Sequence, residues 1–200
     1  MKSQLLLLAL SLVCTSAWAD EGISKVNGRI SAEAGKTYGS LDTVNGSIEI
    51  GAGAQTNTVE TVNGSITLGQ KVSVSGGLET VNGSILAERG SQISGGVETV
   101  NGSIGLVGTE LGKGIETVNG DITVGVDSHV RGGIEVTKPN FGFSFQPSRK
   151  PRVVIGPDAV VDGPLRFERE VNLYVHRSAK IGAVSGATAR SFDSDVAPKD

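Results

Sequence analysis

Six carboxylates recur at one position of a repeated stretch in this chain: Asp42, Glu60, Glu79, Glu98, Glu116 and Glu135. Carboxylate oxygens offered at a regular interval suit a hard divalent cation such as calcium, so the column is a weak candidate cation stripe. The competing reading is a solvated face. Its like charges are screened by water and salt, and they discourage side-by-side aggregation of flat β structure. The Gly- and Asp-rich nonapeptide of calcium-binding β-rolls does not occur. Three residues beyond the first five acids stand amides, at Asn45, Asn63, Asn82, Asn101 and Asn119. Amides stacked in register bond to one another and make a structural ladder; the alternative is a ligand-binding amide stripe.

Other reactive groups are sparse. The two histidines, His129 and His176, lie far apart in the chain, and Cys14 is the only cysteine. No Gly-x-Ser-x-Gly elbow, phosphate loop or His-rich metal spacing is present. Paired carboxylates of the acidic column could serve a polysaccharide-acting enzyme, but such enzymes build clefts from long loops that this chain largely lacks. The expectation is no catalytic residue, no cofactor and no resident metal.

The element that positions these columns is the repeat Val59-Glu60-Thr61-Val62-Asn63-Gly64-Ser65-Ile66. It returns at Leu78–Ile85, Val97–Ile104 and, with Asp121 for the serine, Ile115–Ile122. An earlier copy spans Leu41–Ile48, and a worn first copy runs from Ile23 to Ile30. A fixed short period marks a stacked-repeat architecture. Each unit of 18 or 19 residues, rich in Val, Ile, Thr and Gly, favours short strands and turns over helices. The fold expected is all-β, a single-stranded parallel β-helix (β-solenoid) with three strands per coil. Asn-Gly makes one corner, and pairs such as Gly76-Gly77, Gly95-Gly96 and Gly132-Gly133 make another, on the argument that tight corners need positive φ. The third strand centres on Val74, Ile93, Leu111 and Val130.

Two apolar columns should face the interior: Leu41, Val59, Leu78, Val97, Ile115 and Ile134, and Ile30, Ile48, Ile66, Ile85, Ile104 and Ile122. Between them, strict alternation points Thr43 inward and Val44 outward. The seventh coil, Ile134-Glu135-Val136-Thr137, agrees; the first, with Lys25 in the threonine column, argues the reverse. A bend at the corner reconciles both and favours buried valines.

Residues 1–19 have the features of a secretory signal peptide: Lys2, the apolar run Leu5–Val13 and a small-x-small site at Ala17-Trp18-Ala19. A lipid anchor would use Cys14, but Val13 is too bulky for that processing site. Cleavage would remove the cysteine and leave no transmembrane anchor, which places the mature protein in the periplasm or outside the cell, without disulfides. Residues 20–137 carry 7 Lys/Arg against 14 Asp/Glu, and residues 138–200 carry 10 against 7. Neither balance provides the concentrated basic face that nucleic acid requires.

The pattern breaks after Thr137. An irregular insertion is expected over 138–152, with Phe141, Phe143 and Phe145 alternating as a strand that covers a flank or plugs a core. Further coils follow over 153–184, marked by Ala159 and Ala179 with Leu173–Val175 between them. Residues 185–200 look like a disordered tail. Lys25 and Arg29 at one end, and Pro157, Pro164 and the charges of Arg166–Glu170 at the other, defend the edges and favour a monomer or small oligomer.

The recurring Glu-Thr-Val-Asn-Gly-(Ser/Asp)-Ile unit, over about residues 23 to 137, resembles the bacterial family of exported β-strand-repeat proteins grouped as adhesins, whose function is largely uncharacterised. The Ala159 and Ala179 segments are similar to bactofilins, cytosolic polymer-forming β-helical proteins. The resemblance implies a right-handed parallel β-helix and brings no catalytic residue. The function expected is a non-catalytic surface or envelope role with a cell-surface or envelope component as partner. Self-assembly is the rival.

Overall fold

The computed structural model describes residues 21–138, 149–194 and 196–198. The expected signal peptide, with Cys14, and the segment holding Phe141, Phe143 and Phe145 lie outside these residues. The described chain is all-β and winds as a β-solenoid of parallel strands. Nine strands stack in the first sheet, from Ile23–Asn27 through Val59–Asn63 and Leu78–Asn82 to Val184–Ser185. Nine stack in the second, from Ile30–Ala32 through Ile85–Ala87 to Ala189–Phe192. The third holds seven, from Gln55–Thr56 through Gln92–Ile93 to Lys180–Ile181. Coils are numbered here from one, beginning at Ile23, to nine, beginning at Val184.

Every repeat residue sits on its counterpart. Val59 pairs with Leu78, Glu60 with Glu79, Thr61 with Thr80 and Asn63 with Asn82, and the same register runs through coils one to six. The two apolar columns are buried as expected and join Val74, Ile93, Leu111 and Val130 of the third sheet in one continuous core. A coil this short cannot enclose a core alone; each buries its apolar residues only between neighbours.

The valine expectation is corrected. Alternation holds from the first apolar residue to the valine, and valine and asparagine both lie outside: Thr80 is 4% exposed and Val81 39% exposed. Val44, Val62 and Val100 are likewise on the outer face. In coils two to five the buried threonine pays for its hydroxyl by donating to the corner glycine of the coil below, Thr61 to the Gly46 carbonyl at 2.9 Å and Thr80 to that of Gly64 at 3.0 Å. Valine could not make that tie. The Thr117 hydroxyl of coil six is buried without such a bond. Lys25 misleads because coil one is the lowest of the described coils, where this column is exposed and its Nζ reaches the Arg29 carbonyl at 2.8 Å.

The reason for the Asn-Gly glycines is corrected in part. Gly28 and Gly102 do have positive φ, at 104° and 159°, but Gly64 and Gly83 do not; a Cβ at Gly64, Gly83 or Gly102 would overlap the carbonyl of the glycine one coil below. Positive φ recurs at the turn before the third strand, at Gly53 and Gly90 among others.

In coil seven the insertion replaces the Asn-Gly corner: Ile134–Val136 belongs to the first sheet and the chain resumes in the second at Arg152–Ile155. Val136 fills the threonine column, fully buried. The further coils form as expected, with Ala159 buried and Asn172–His176 the intervening strand. The tail, however, is not without structure. Val184–Ser185 pairs with Leu165–Arg166, and Ala189–Phe192 pairs with Leu173–His176. A polar composition suffices there because a terminal strand needs mainly a backbone partner, and Phe192 anchors it. Pro157 and Pro164 consequently lie inside the stack, where their carbonyls accept from Asp127 and Ile134, and do not cap its end.

Candidate functional site: a carboxylate–valine trough

Because the first-sheet strand alternates from its first residue to its valine, its outer face carries an acid and a valine from each coil. These are i and i+2 on one strand, separated by about 6.6 Å, and both repeat about every 4.8 Å up the stack. Asp42, Glu60, Glu79, Glu98 and Glu116 form one ridge, and Val44, Val62, Val81, Val100 and Val118 the other. Between them lies a trough of about 390 Å³. Lys25 stands at its N-terminal mouth. Glu135 continues the acid ridge by one coil, and Arg166 stacks on Glu135 and ends it.

Burial, and then the charges of Glu79 and Asp42, raise the Glu60 carboxyl above its ordinary value. Glu98 is raised by burial first and by Glu79 and Glu116 second, with Lys113 pulling the other way. The ridge is a line of like charge whose mutual repulsion outweighs the nearby Lys113 at Glu98. Each coil supplies one carboxylate, and among the described residues no three His, Cys, Asp or Glu side chains converge as a metal site would require. On the far side of the acid ridge a second hollow, about 500 Å³, is floored by Gly76-Gly77 and Gly95-Gly96.

The amide ladder forms, and it extends to the worn first coil. Each Nδ2 donates to the Oδ1 one coil below, from Asn45 to Asn27 at 3.0 Å up to Asn119 to Asn101 at 3.2 Å. Its upper end is closed by Arg169, whose guanidinium donates to Asn119 Oδ1 at 2.5 Å and to the Val118 carbonyl at 3.0 Å. Beside it Asp121, the residue that replaces serine, accepts from the Arg149 side chain at 2.6 Å and from the Arg152 backbone at 2.9 Å. These charged groups secure the chain where it resumes after the insertion, beside the last regular corner.

The histidines lie on different sheets. His129 bonds Asp162 at 2.7 Å and faces Glu110 at 3.4 Å on the third sheet. His176, on the second, bonds Ser178 and meets the Phe192 ring edge-on. Sequence reasoning missed a small outer cluster of Val154, Tyr174 and Phe192, with the Arg152 and Arg190 guanidiniums 5.3 and 5.8 Å from the tyrosine ring. The signal was available: Val154 and Tyr174 occupy an outward column that holds Glu49, Thr67 and Thr123 in earlier coils.

Comparison with protein-family models, curated proteins and solved structures finds no match to this chain.

Proposed function

We propose that this chain is a non-catalytic β-solenoid that is exported and binds at a cell surface or envelope, in the manner of an adhesin, through the outer face of its first sheet. The observation that carries the reading is the trough. It is straight and repeats one acid and one valine per coil over five coils, a shape that suits an extended partner better than a compact substrate. Half-exposed valines in a row are an apolar surface that a soluble stack would otherwise replace with polar residues. The separate placement of His129 and His176, each engaged with its own neighbours, supports a binding role over acid–base chemistry. Export rests on the residues preceding the fold.

The test is retention of the purified protein on bacterial cells and envelope fractions, compared with a Glu79→Lys/Glu98→Lys variant. Retention by the wild type and loss in the variant is the expected result. Equal retention of both removes the trough from the reading.

The rival, a self-assembling scaffold, draws on one observation. Among the described residues, the end strands of the first two sheets, Ile23–Asn27 and Ile30–Ala32 below and Val184–Ser185 and Ala189–Phe192 above, each have a neighbour on one side only. Open edges of this kind template further pairing. Light scattering and electron microscopy of the purified protein decide between them, filaments at physiological salt favouring the scaffold.

A further inference from the structure

The trough has a width, a period and a charge, and together they select the chemistry of an occupant. It is bounded on one side by methyl groups and on the other by carboxylates, with Lys25 the one cation among the described residues that line it. Its occupant is therefore cationic and aliphatic along its length. An α-helix, at least ~10 Å across, is too thick to lie between ridges about 6.6 Å apart, and its ~5.4 Å turn drifts against the coil spacing. An extended peptide presents side chains to one face about every 6.6 Å and falls out of step with carboxylates about 4.8 Å apart within two coils. A single metal ion would need ligands that converge, whereas these are strung one per coil. An unbranched alkyl chain fits the width, and nitrogens separated by three methylenes lie about one strand spacing apart, ~4.8 Å.

We propose that the trough binds a linear aliphatic polyamine with three-carbon spacers, laid along the solenoid axis with its methylenes on the valines and its ammonium groups on the carboxylates. This rests on the binding role proposed above and narrows it to a ligand class. Five carboxylates from Asp42 to Glu116 span four coil intervals, about 19 Å, so four nitrogens can each meet one acid. The carboxyls of Glu60 and Glu98 are elevated by burial and by their like-charged neighbours, in spite of Lys113 beside Glu98, which agrees with a ridge that would gain from further cations.

The experiment is isothermal titration calorimetry of the purified protein, at low ionic strength, with a tetramine of three-carbon spacers. The comparison probes are a tetramine of five-carbon spacers and a lysine-rich peptide of equal charge. The three-carbon tetramine is expected to bind tightest. Glu79→Gln/Glu98→Gln should weaken it roughly tenfold, as loss of two exposed ion pairs would. Val81→Thr/Val100→Thr, which keeps every charge, should weaken it about threefold through lost apolar contact. Equal affinity for both tetramines, no effect of the valine pair, or stronger binding of the peptide would each overturn the proposal. Circular dichroism checks that the variants fold. Envelope retention is measured on the same samples. Retention without tetramine binding overturns the polyamine inference and leaves the surface role standing. Tetramine binding without retention supports the inference and removes the surface role alone.

Discussion

Coils two to six and coils seven to nine build the same three sheets by different means. In the first sheet of the lower coils each residue meets its own kind: leucine and valine on each other, acid on acid, threonine on threonine, asparagine on asparagine. A side chain that fits once then fits in every coil, and interactions are spread evenly along the stack. In the upper coils unlike residues meet, such as Glu135 with Arg166 and Val136 with Phe167. There the joins are individual: Asp121 with Arg149, Arg169 with Asn119, and Tyr174 between two arginines. Repetition removes the need for specific clasps, and its interruption brings them back.

The largest test of that contrast is a core truncation in each region. Leu78→Ala, fully buried in mid-stack, should cost about 2–5 kcal/mol in denaturant unfolding. Because each coil contacts only its neighbours, loss of protection in hydrogen exchange should spread through the adjoining repeats. Leu173→Ala should cost a similar amount, with faster exchange confined to coils seven to nine. Identical exchange profiles would mean that the two regions unfold as one unit.

Next comes the inner-versus-outer assignment within a single repeat. Thr80→Ala removes a buried hydroxyl and its tie to Gly64 and should cost about 1–3 kcal/mol. Val81→Thr, on the outer face, should stay within about 0.5 kcal/mol. A reversed order in thermal melts would restore the bent-corner geometry.

Smaller effects are expected along the amide column. Arg169→Ala strands the last amide oxygen and should cost about 1.5 kcal/mol, the low end for a charged donor because the site is partly open to water. Asn82→Ala, replaceable in part by solvent, should cost about 1 kcal/mol, and Asn27→Ala at the lowest described coil less. If Asn82→Ala proves costlier than Arg169→Ala, the clasp is incidental.

The smallest effect is electrostatic. Glu60 and Glu98 hold their protons more tightly folded than unfolded, so their contribution to stability is present below the ordinary value of 4.5 and is lost as pH rises through the elevated folded value. Glu98→Gln should therefore be slightly more stable than wild type at neutral pH, with the advantage disappearing in acid. A variant that is less stable at neutral pH would show that the charge is neutralised by a partner within the fold.

The columns of Leu41 and Ile48, the third strand at Ile93 and the amide ladder were legible because repetition shows each position several times over. The valines were misplaced because the least representative copy, with Lys25, was given the weight of a regular one, although the lowest described coil imposes no burial on that position. Backbone torsion accounts for the Asn-Gly glycine only at Gly28 and Gly102; the constraint shared from Gly46 to Gly120 is the approach of the neighbouring coil, which no single unit contains. Arg169 lies 50 residues from Asn119. What could have pointed to it is the end of the asparagine series: an amide oxygen with no amide above it requires some other donor.

The ladder also has an electrical sense. Every Nδ2 points down the stack and every Oδ1 up it, so the side-chain dipoles add as peptide dipoles do along a helix. Aligned bonds of this kind polarise one another, and partial negative charge gathers at Asn119. A guanidinium at that pole and Asn27 as the first amide of the series make the column a one-way array. Duplicating a coil would lengthen it without reversing any bond, provided Arg169 still met the uppermost asparagine. The repeat number is then free to vary while the terminus stays fixed.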